Sequence, residues 1–128
     1  YYTDGAASCV TMDISCAYPV QAGIGVWRRT CRLLRNEAVQ IEEEGNFEKP
    51  SEIEFHFITP CRPEICSDGL ILDSVILKYN AEKFSCEWEE LELDIRLQNI
   101  WQNGLRRITL KLKEKSKELH KKFIFLPR

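Results

Sequence analysis

Histidine is scarce in this chain. There are two, His56 and His120, among 128 residues, which leaves little material for general-base chemistry. His56 sits on the polar side of an alternating segment and His120 in a charged stretch that reads as a loop, so both are expected in solvent. No apolar run approaches the roughly 18 residues of a membrane-spanning helix. A formal charge of −2 gives no overall pull toward nucleic acid or anionic lipid. The chain has no Gly-x-Ser-x-Gly, no phosphate-binding glycine loop and no His-Glu-x-x-His. Neighbouring carboxylates such as Glu42, Glu43 and Glu44 alternate across a strand instead of converging as an acid/base pair. These absences argue against an enzyme, a resident cofactor and a nucleic-acid binder. There is no Asn-x-Ser/Thr acceptor site, no internal repeat and no low-complexity linker, so residues 1–128 are expected to form one domain. A start at Tyr1 instead of Met suggests a processed or excised segment.

Cysteine, by contrast, is plentiful. Cys9, Cys16, Cys31, Cys61, Cys66 and Cys86 make an even set. In a small chain such a set suggests a disulfide framework and an extracellular location, secreted or at the cell surface. Zinc would need closely spaced ligand pairs. Only Cys61 and Cys66 come near that spacing and no second pair answers them, so no metal site is expected.

Period-two alternation dominates the rest. Val10, Met12, Ile14 and Cys16 share one face of a predicted strand. Ile53, Phe55 and Phe57 do the same, as do Leu91, Leu93, Ile95 and Leu97, and Ile108, Leu110 and Leu112. Gly69–Tyr79 is apolar almost throughout, as in a central strand, and Phe123–Leu126 reads as a short final one. Turn chemistry recurs at Tyr18-Pro19, Gly45-Asn46, Pro60–Pro63 and Asn103-Gly104. Lys111–Lys122 has helix formers but too few apolar positions to bury a helix face. The pattern predicts an all-β, antiparallel β-sandwich.

Two stretches carry family resemblances. Val10–Pro19 resembles the B strand of an immunoglobulin-superfamily domain, Trp27 lies eleven residues beyond Cys16, and Phe84-Ser85-Cys86 is similar to the F strand. Phe84 stands where that family has a tyrosine. The resemblance implies an immunoglobulin-like sandwich with Trp27 in the core on a Cys16–Cys86 bridge. Three connectivities then remain for the other four cysteines, one of them joining Cys61 to Cys66 and Cys9 to Cys31. The tail, Ile100-Trp101-Gln102-Asn103-Gly104 with the strand to Lys113 and Phe123-Ile124-Phe125, is similar to MD-2-related lipid-recognition domains. That similarity implies an alternative, a lipid carrier with a cavity between its sheets.

Charge is strongly segregated. From Gly104 onward nine Lys or Arg face two Glu; Glu37–Glu54 holds seven Glu and one Lys; Glu82–Asp94 holds six acids and one Lys. Cationic and acidic strands can pair across a sheet. They can also present a basic face, here Arg106, Arg107, Lys111, Lys113 and Lys115, to an acidic protein surface or a sulfated glycan. Arg28, Arg29, Arg32 and Arg35 flank Trp27, a hot-spot composition, while Trp88 and Trp101 are candidates for exposed contacts. The expected function is extracellular recognition through protein–protein contact.

Overall fold

Alternating residues become antiparallel pairs throughout. The computed structural model describes residues 1–128. Its strands are β1 (Tyr2–Thr3), β2 (Ala7–Asp13), β3 (Ile24–Leu34), β4 (Ala38–Ser51), β5 (Glu54–Thr59), β6 (Glu64–Cys66), β7 (Gly69–Leu72), β8 (Val75–Lys78), β9 (Phe84–Glu90), β10 (Arg106–Leu112) and β11 (Ser116–Pro127). One short helix, α1 (Ile95–Ile100), lies between β9 and β10. Eight strands form one sheet in the order β1-β2-β3-β4-β11-β8-β7-β6; three form the other, β5-β10-β9. The first four strands are one meander and β6–β8 another. The last strand, β11, enters between β4 and β8 and joins the two.

The core lies where the small sheet covers the middle of the large one. Phe55, Phe84, Ile108, Leu110 and Leu112 come from the small sheet and Trp27, Leu70, Leu77, Leu119 and Phe123 from the large one, all buried. Phe123 meets Phe55 at 4.9 Å and Phe57 at 5.3 Å between ring centroids, both edge to face, so aromatic rings fill the layer between the sheets. Three strands cannot cover eight. On the β2–β3 side, Val10, Met12, Leu33 and Val39 share the inner face with core residues yet remain exposed.

Four expectations need correction. Leu91–Leu97 is not a strand. β9 loses its partner after the Glu90–Arg106 pair, and the Asp94 carboxylate, accepting from Leu97 N–H at 2.9 Å, caps a helix instead. Gly69–Tyr79 is a hairpin, β7 and β8, turning at Asp73 with φ 58°. The strand over Val10–Cys16 stops at Asp13, and Cys16 sits in a 3-10 turn, Ser15–Ala17. His120 belongs to strand β11, directly opposite Glu44, not to a loop.

The six cysteines are unbridged. Cys9 pairs with Arg32 and Cys31 with Val10, which puts their side chains on opposite faces of the large sheet although their strands are neighbours. Cys16 is exposed on the β2–β3 connection, whereas Cys86 is half-buried in β9, in the other sheet. Burial pushes the Cys86 thiol above its ordinary value, opposite to the shift that makes a reactive thiolate.

Candidate functional site

The expected basic face divides when its register is followed. Arg107 and Lys111 point outward with Thr109 on the open side of the small sheet. Arg107 pairs with Glu89 across the strand, and the Lys111 ammonium lies 3.4 Å from Glu52 and 3.7 Å from Glu54. These cations are already neutralised. Arg106 has the parity of Ile108 and Leu110 and turns to the inner face. Its Nη1 donates to Asn103 O at 2.6 Å and to Pro60 O at 2.8 Å, and its Nη2 to Glu90 at 3.3 Å. Arg106 is therefore a clamp at the base of the β9–β10 connection. Lys113 and Lys115 lie apart, beyond the far end of β10.

What Arg106 clamps is an apolar tip. Leu91 N–H donates to Leu105 O at 2.9 Å, closing the connection at its base. Within it α1 has no buried residue. Ile95 is 74 % exposed and Ile100 70 %, beside the partly exposed Leu97 and Trp101. Glu92 and Asp94 add negative charge beside this tip, whereas Glu89 and Glu90 are held by Arg107 and Arg106. A surface cluster of large apolar side chains with an acidic rim is the composition of a docking surface. Trp88 instead packs on the core, with the Arg62 guanidinium 5.5 Å from its ring centroid.

A second group of charges crosses the large sheet. On its outer face Glu42 receives Arg32 Nη1 at 2.6 Å, and His120 Nε2 lies 3.0 Å from its other oxygen and 3.9 Å from Glu44. Glu42, Glu44 and His120 are close enough to ligate one ion. Glu42 already has the Arg32 guanidinium, and Arg28 and Lys122 stand on the same face opposite Glu44 and Glu42 in register. The trio is read as an ion-pair ladder. The Arg32 hydrogen bond first, and the His120 one second, hold the Glu42 carboxyl at about 2, below its ordinary 4.5. A lowered acid contributes stability that is complete above about pH 4.5 and is lost as pH falls toward 2. Arg32→Gln should remove much of this dependence. Between pH 5 and 2.5 the parent is expected to lose on the order of 2 kcal/mol more than the variant in urea unfolding. Parallel losses would show that the pair does not stabilise the fold.

On the inner face Glu43 is 1 % exposed. It accepts from Trp27 Nε1 at 2.6 Å and Arg29 Nε at 2.5 Å. Tyr18 stacks on the Trp27 indole, with ring centroids 5.3 Å apart. The arginines that flank Trp27 in sequence thus serve the sheet. Arg29 reaches Glu43, Arg32 reaches Glu42, and Arg35 donates to Asp4 O.

His56 lies 3.2 Å from Thr109 Oγ1 and 3.5 Å from Glu54, a His–Thr–Glu contact on the outer face of the small sheet. All of it stands on one pleated face with both His56 and Glu54 well exposed. The apolar tip is the one surface here that sequence reasoning left without residues, apart from Trp101. Its signal was present as Asp94 three residues ahead of Leu97. No protein-family model matches the chain, and no curated protein is similar to it.

Proposed function

We propose that the protein is an extracellular recognition module, not an enzyme, and that it docks a protein partner through the tip of the β9–β10 hairpin. The observation that carries this reading is the exposure of Ile95, Leu97, Ile100 and Trp101 on a connection tethered at its base by Arg106. Apolar side chains held in water by an otherwise well-packed fold are a standing source of binding free energy. The unpaired acids beside the tip, Glu92 and Asp94, favour a partner whose apolar hollow has a basic rim. The inter-sheet layer filled by Phe55, Phe57, Phe84 and Phe123 supports recognition over a carrier with an internal cavity.

A photo-crosslinking residue at position 101, applied to intact cells, isolates the partner; Trp101→Ser then tests it. Loss of a central aromatic anchor is expected to weaken binding by about 2 kcal/mol or more, some 30-fold in Kd. Because Trp101 packs on no core residue, the unfolding midpoint should hold. An unchanged Kd retires the tip as the interface.

A second reading has its own observation. The uncovered inner face beside β2 and β3 borders a recess of about 610 Å³ lined by Tyr1, Tyr2, Val10, Cys31, Leu33 and Val39 among others. It would suit an apolar ligand such as a lipid, held on the shelf of the sheet. The even cysteine count favours an oxidising compartment, although the six thiols stand unbridged in the fold. Intact mass of unreduced protein from its native source separates the two readings. Recognition predicts a polypeptide alone, lighter by the two hydrogens lost for each bridge formed. A non-covalent adduct of lipid mass would favour the shelf, and a fully reduced chain would retire the compartment.

A further inference from the structure

Four lysines without an ion pair gather at the opposite end of the same hairpin from the apolar tip. At that end the Lys113 N–H donates to Lys83 O at 3.0 Å, fastening the turn before β9 to the turn between β10 and β11. Between them lies a cleft of about 240 Å³ lined by Lys83, Lys113, Lys115, Lys121, Glu82 and Glu114, with Leu112 and Ser116. Four ammonium groups against two carboxylates leave an excess of two positive charges.

None of the four lysines forms an ion pair, and the one hydrogen bond their ammonium groups make is from Lys113 Nζ to the neutral Ala81 carbonyl at 3.2 Å. Arg29, Arg32, Lys78, Arg106, Arg107 and Lys111 are each joined to a carboxylate, and what sets these four lysines apart from the other unpaired ones, Lys49, Lys117 and Lys122, is that they line one cleft. The difference is positional. β10 has an acidic strand on each side only as far as its pairing runs, and Lys113 and Lys115 fall beyond it. They are displaced from their cross-strand acids into a concave turn, where like charges repel until an anion arrives.

We propose that this cleft binds the sulfate groups of a sulfated polysaccharide. Lysine is a strongly hydrated point charge on a flexible stem, fit for oxyanions spaced along a polymer. The lining has no aromatic residue, and its one apolar side chain, Leu112, is buried, so nothing offers a base a stacking platform. That favours a sulfated glycan over a single-stranded nucleic acid. The site stands independently of the hairpin tip.

The test is heparin affinity at several salt concentrations, with single-stranded DNA of similar charge as the comparison. The parent protein is expected to bind heparin more tightly than DNA and to weaken steeply with salt. Lys113→Glu with Lys115→Glu should bind heparin roughly tenfold more weakly or worse, since the excess positive charge of the cleft is reversed. Arg107→Glu with Lys111→Glu changes net charge equally but on the already paired face, and should lose no more than about threefold. Trp101→Ser should leave heparin binding unchanged, which separates this site from the recognition tip. If the charge reversal disturbs folding by circular dichroism, Lys113→Gln with Lys115→Gln takes its place, with a smaller loss in the same direction. No heparin binding by the parent, equal losses in the two double variants, or a preference for DNA would each overturn the assignment.

Discussion

Phe123→Ala is expected to lower the unfolding free energy by about 3–5 kcal/mol, enough to leave a domain of ordinary stability barely folded. Phe123 is completely buried in β11, and its ring meets Phe55, Phe57 and Phe84 of the small sheet at 4.9, 5.3 and 5.7 Å. One truncation therefore opens a void against three rings from both outer strands of the cover. β11 itself is hydrogen-bonded on both sides, to β4 and β8, and cannot easily shift to close it. Urea unfolding should show a lower midpoint at an unchanged slope. A loss below about 1 kcal/mol would mean that the sheets slide together to fill the space.

Glu43→Ala is the second large effect. This carboxylate is buried with two donors on it, the Trp27 indole and Arg29. Removing it strands the indole N–H beneath Tyr18, a loss of about 1–3 kcal/mol for an unpaired buried donor. Breaking a buried pair commonly costs about 3–5 kcal/mol. Arg29 is 37 % exposed and can return to water, so a total near 3 kcal/mol is expected. Glu43→Gln keeps an acceptor for the indole and should lose only about 1 kcal/mol. A second check is Trp27→Phe, which deletes the donor. In that background Glu43→Ala should be less damaging, and full additivity would refute the coupling.

How far the fold was legible depends on what each strand had to contact. β5 and β10 have one wet face and one dry face, so Phe55 and Phe57, and Ile108, Leu110 and Leu112, announced them through simple alternation. β3 and β4 were obscure because their inner face carries Arg29 and Glu43 among its apolar residues, a neutralised pair that reads as surface until the two strands are set side by side. In β11, Leu119 and Phe123 are the buried anchors and Lys121 lies between them on the same face, which hid the period. Leu91–Leu97 erred the other way, since alternation is only a pattern and no neighbouring strand was there to pair with it. For the candidate sites, the charge was visible and its distribution was not. Arg106 could have been separated from Arg107 by parity with Ile108. Which lysines lack a carboxylate depends on where β10 stops pairing, and that is a property of register.

The central place of β11 bears on how the molecule is made. A ribosome releases β1–β4 and then β6–β8 before the piece that stitches them together exists. Until about residue 127 has left the exit tunnel, β4 and β8 each present a bare row of amides and carbonyls to whatever passes. The nascent chain must wait as two unfinished halves, a state in which holding factors are useful and premature pairing with a neighbouring chain is the main hazard.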